Sequence, residues 1–71
     1  MSLLTDSSAD PREFLVELLQ MAHIQTEIAI RCAYLGDDAM LELSMRRMAA
    51  YLRQSHATMH DLRRRRSREV T

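Results

Sequence analysis

The chain has 71 residues, of which 46% are apolar, with one glycine, one proline, one cysteine and no tryptophan. Its ten bases, all arginine, balance ten acids, so the formal net charge is zero. That length allows one domain, the composition fits neither a turn-rich β fold nor low-complexity disorder, and the charge balance speaks against a general polyanion binder, which leaves an all-α unit with a small core.

Residues 1–9 are rich in Ser, Thr and Asp without periodicity, and are expected to form a flexible arm. The helical hairpin is expected over residues 10–65. It opens at Asp10-Pro11-Arg12-Glu13, where Asp10 can cap the first turn, Pro11 suits the first helical position, and Glu13 can reach back as the third residue of a capping box. The first helix is expected over about 11–35, with Glu27 and Arg31 spaced to form an (i, i+4) ion pair. Gly36 can take the left-handed conformation that ends it. A turn follows at 36–38, with Asp37 or Asp38 capping a second helix that runs over about 38–65. Residues 66–71 are expected to be a disordered basic tail.

Two apolar ladders define the expected packing. The first is Phe14, Leu18, Met21, Gln25, Ile28, Cys32, Leu35, and the second is Leu41, Met45, Met48, Leu52, Ser55, Met59, Leu62. Each alternates steps of four and three, the spacing of one helix face. They fall out of step across Gly36, so the chain must turn, and two helices of similar length then pack antiparallel. Folding about Asp37 sets Cys32 against Leu41, Ile28 against Met45, Gln25 against Met48, Met21 against Leu52, Leu18 against Ser55 and Phe14 against Met59. The polar pair Gln25 and Ser55 do not meet, so each needs a partner from water or another chain.

The first helix is apolar round more of its circumference than one neighbour can cover. Leu15, Val16, Leu19, Ala22, His23, Ala29, Ile30 and Ala33 lie outside its ladder and form the expected interface. Self-association follows, two hairpins forming a four-helix bundle. Charge is consistent with antiparallel helices, since residues 1–36 sum to −3 and residues 37–71 to +3, although salt screens the attraction.

Chemistry-bearing residues are few. His56 and His60 have the spacing at which two imidazoles share a metal, but no flanking motif accompanies them and a solvated surface pair is the simpler reading. No cofactor is expected. Arg63, Arg64, Arg65, Arg66 and Arg68 can contact phosphate on nucleic acid or another anionic partner, or they can simply complement the negative end of the helix dipole. Stacking aromatics are scarce, which favours the second reading. Arginine suits bidentate contacts, while a compositional bias explains the lack of lysine equally well. Five internal methionines give a soft, adaptable surface or ordinary core filler. With no Gly-rich loop, no cysteine beside a histidine and no pocket of its own, the hairpin is not expected to be an enzyme. Cys32 cannot close an internal disulfide and reads as a small hydrophobe in a reducing compartment. No basic stretch leads into an apolar run, and Glu17, Glu27 and Arg31 make a membrane span too costly, so a cytoplasmic location is expected.

In size and two-helix layout the hairpin resembles the Rop-type plasmid copy-number dimers and the small helical co-chaperones of type III secretion needle subunits. The resemblance covers layout alone and carries no site residues across. The expected function is a non-enzymatic helical interaction module, an adaptor or regulator acting as a homodimer. The alternatives are a nucleic-acid-associated dimer using the arginine run, and a chaperone-like partner of another helical protein, for example in a secretion system.

Overall fold

A computed structural model describes residues 10–70. Helix α1 spans Pro11–Leu35 and α2 spans Asp38–Val70. The two pack against each other as a hairpin. Its thinnest dimension is 12 Å, the thickness of a single helix. Both broad sides of the pair are therefore open.

Local chemistry sets the helix ends. Asp10, in extended backbone, accepts a hydrogen bond from the Arg12 N–H at 2.9 Å through Oδ1, and Pro11 takes the first helical position. The Glu13 link to Asp10 runs through its backbone N–H to the Asp10 carbonyl at 3.1 Å. At the other end Gly36 adopts φ 76° and ψ 20°. The Asp37 N–H reaches the Cys32 carbonyl at 2.9 Å and the Gly36 N–H reaches Ala33 at 3.4 Å, the paired bonds of a Schellman ending. Asp37 then caps α2 by accepting from the Met40 N–H at 3.2 Å. One residue thus closes α1 and opens α2.

The seam is rotated from the one expected. Buried or half-buried positions are Pro11, Leu15, Leu18, Ala22, Gln25, Thr26, Ile28, Ala29 and Cys32 on α1, and Leu41, Ser44, Met48, Ala50, Tyr51, Ser55, Thr58 and Leu62 on α2. Four positions of each expected ladder are retained: Leu18, Gln25, Ile28 and Cys32, with Leu41, Met48, Ser55 and Leu62. The others shift. Phe14 and Met21 give way to Leu15 and Ala22 on α1, where Ala29 joins Ile28 and Leu35 is left 82% exposed, and Met45, Leu52 and Met59 give way to Ser44, Tyr51 and Thr58 on α2. Reflection about the turn now sets Ala29 level with Ser44, Ala22 with Tyr51, Leu15 with Thr58 and Pro11 with Leu62. Pro11 and Leu62 line one depression at the open end.

Small side chains explain the choice. Ala22, Ala29 and Ser44, the last only 1% exposed, let the helix axes approach closely. Three hydroxyls cost little to bury because each returns to its own helix. Ser55 Oγ donates to the Tyr51 carbonyl, Thr58 Oγ1 to Gln54 and Thr26 Oγ1 to Ala22, all at 2.9 Å. Ser55 therefore needs no outside partner. Gln25 does, since its Oε1 is buried without a hydrogen bond.

Two further expectations are corrected. Glu27 turns to His23, with Nε2 and Oε2 3.5 Å apart, and not to Arg31. The second helix continues through residues 66–70, which had been expected to be disordered. No Gly or Pro interrupts them, arginine is a good helix former, and cations suit the negative end of the dipole. The expected arm at 1–9 lies outside the described residues, as does Thr71.

Candidate interaction face

Successive residues lie about 100° apart on a helix, so the residue one step after each seam position marks one broad side of the hairpin and the residue one step before marks the other. Because the helices share a hand and run oppositely, the following residues of both helices emerge on the same side. That side carries Val16, Leu19, His23, Thr26, Ile30 and Ala33 from α1. From α2 it carries Met45, Ala49, Leu52, His56 and Met59. The large apolar members are far from covered, from 37% exposed at Met59 to 54% at Met45. Between its ends this side holds no Asp, Glu or Arg.

The opposite side has a different character. Phe14, Met21, Ile24, Met40 and Leu43 are exposed there too, but Glu17, Arg31, Arg47 and Asp61 interrupt them. Ion pairing within the helices is light, with Arg46 Nη2 and Glu42 Oε2 3.0 Å apart on the exposed surface of α2. Surface pairs of this kind contribute little stability.

The expected interface residues divide between two places. Val16, Leu19, His23, Ile30 and Ala33 share the uncharged side. Leu15 is half-buried, and Ala22 and Ala29 are buried, in the intrachain seam. They stabilise the hairpin and offer little to a second chain. Met45, Leu52 and Met59 belong with the first group and were missed because their ladder spacing fits the seam equally well. The signal that separates them is the small-residue ladder Ser44, Ser55, Thr58 beside them.

Arg63, Arg64, Arg65 and Arg66 are exposed and wind round the end of α2. Among the described residues none of these four is in an ion pair. One open depression is lined by Asp61, Arg64, Arg65 and Arg68, and another by Pro11, Arg12, Leu62, Arg65 and Arg66 with the acids Asp10 and Glu69. His56 and His60 are exposed, and among the described residues no three His, Cys, Asp or Glu side chains gather into a metal-holding group. Cys32 is buried with a free thiol. No described helix is long and apolar enough to cross a membrane. Compared with family models, with curated proteins and with solved structures, the chain gives no match.

Proposed function

We propose that this chain is a small non-enzymatic interaction module that works as a homodimer, two hairpins stacking their uncharged sides into a four-helix bundle. The observation that carries this reading is the set of exposed Val16, Leu19, Ile30, Met45, Leu52 and Met59 on one side that has no Asp, Glu or Arg of its own between its ends, on a unit only one helix thick. The stacked area is about 38 Å by 20 Å per copy, from helix length and spacing, so a pair removes on the order of 1,500 Å² from water. That lies within the range of specific interfaces. At about 25 cal/mol per Å² even a third of it being apolar contributes on the order of 10 kcal/mol before the costs of association.

The opposite side, with apolar residues set among charges, stays open in such a dimer. Patches of that mixed kind suit a helical segment of another protein, and they make the dimer an adaptor or regulator. A nucleic-acid role has less support, because the arginines encircle the helix end and form no stripe along it. Sedimentation equilibrium tests the reading. A particle of twice the chain mass at micromolar concentration supports it, and a folded monomer at millimolar concentration refutes it.

A further inference from the structure

Stacked sides can be related by a twofold axis along the helices, placing α1 on α2, or by one crossing them, placing each helix on its own copy. Resting on the homodimer reading, we infer that the axis crosses the helices and that Arg63 and Arg66 of each copy grip the acidic turn of the other through Asp38 and Glu42.

The stacking side is itself polar from end to end. Arg12 and Arg63 lie at its open end, and Asp38 and Glu42, the latter paired with Arg46 on its own helix, at its turn end. An axis along the helices sets open end on open end, bringing the Arg63–Arg68 runs of both copies to one end of the bundle. A crossing axis sets each open end on a turn. Like charges meet in the first arrangement and opposite charges in the second.

On α2 the apolar ladder fits the second. Leu52 lies seven residues from both Met45 and Met59, so an antiparallel copy of α2 centred there sets Leu52 on Leu52 and Met45 on Met59. In that register Asp38 and Arg66 are level, each fourteen residues from Leu52, and Arg63 falls one residue from the level of Glu42. The shape of the hairpin supplies the reach. Pro11 is level with Leu62, so α2 projects past the start of α1 by residues 63–70, about 12 Å at 1.5 Å per residue. Arg63 and Arg66 have no ion-pair partner in their own hairpin among the described residues.

Spin labels at Glu69→Cys in a Cys32→Ala background test the geometry in the full chain. A crossing axis separates the two labels by about 50 Å, and an axis along the helices by about 20 Å. A dimer with the short distance overturns the crossing axis and leaves the homodimer standing, whereas a monomer overturns both. Two charge variants give an independent reading. Arg63→Glu/Arg66→Glu and Asp38→Arg/Glu42→Arg should each dimerise at least about tenfold more weakly than the native chain, and their equimolar mixture should recover to within about threefold. An Asp38→Arg/Glu42→Arg chain that dimerises as tightly as the native one, or a mixture no tighter than its parts, contradicts the grip.

Discussion

The seam between the helices and the uncharged side beside it are built from opposite materials. The seam takes Ala22, Ala29, Ser44, Ser55 and Thr58, while Leu19, Ile30, Met45 and Leu52 stand half in water. A self-sufficient hairpin would do the reverse, because burying a leucine removes far more apolar surface than burying a serine. The difference teaches that small side chains share the intrachain contact with Leu18 and Leu62, and that much of the large apolar surface is left on the outer sides of the hairpin. A two-helix unit has too little core to be stable by itself. In the proposed dimer, folding and association are therefore coupled.

The sharpest way to break this contrast is to put a charge on the outer side. In the proposed dimer Leu52→Asp places a carboxylate from each copy in the contact, and should weaken association at least about a hundredfold by sedimentation, since unpaired charge in a dry contact costs several kcal/mol. The same change in a self-sufficient hairpin would leave thermal stability almost untouched. Inside the seam, Leu18→Ala should lower stability by about 2–4 kcal/mol in denaturant titration through the cavity it leaves. Ala22→Leu should cost about 1–3 kcal/mol by forcing the helices apart. If Ala22→Leu instead stabilises the chain, the seam is not closely approached. Asp37→Ala removes the cap at the Met40 N–H and should cost about 1 kcal/mol, read as a lower melting temperature. Gln25→Leu is the mildest and runs the other way. Removing a buried oxygen that lacks a partner should leave stability unchanged or raise it by about 1 kcal/mol.

Helix ends were legible in the sequence because they are decided within a few residues. Asp10 with Pro11, and Gly36 with Asp37, carry the caps and the left-handed turn whatever the helices pack against. Seam rotation was not legible. Leu18, Gln25 and Cys32 belong equally to a ladder with Phe14 and Met21 and to one with Leu15 and Ala22, and periodicity weights large apolar residues over small ones. The structure chose the small ones because serine and threonine can satisfy their hydroxyls on their own helix, a compensation that apolar counting ignores. For the candidate face this had a mixed effect. Val16, Leu19 and Ile30 were found from the breadth of the apolar arc on α1, while their companions Met45, Leu52 and Met59 were assigned inward.

Methionine methyl resonances report most directly on whether the uncharged side is covered. With a soluble paramagnetic agent in the folded native chain at high concentration, the methyls of Met45 and Met59 should be as protected as that of Met48 in the seam, and should lose that protection on dilution or in Leu52→Asp. If Met45 and Met59 broaden freely at every concentration while the hairpin stays folded, no second copy covers that side.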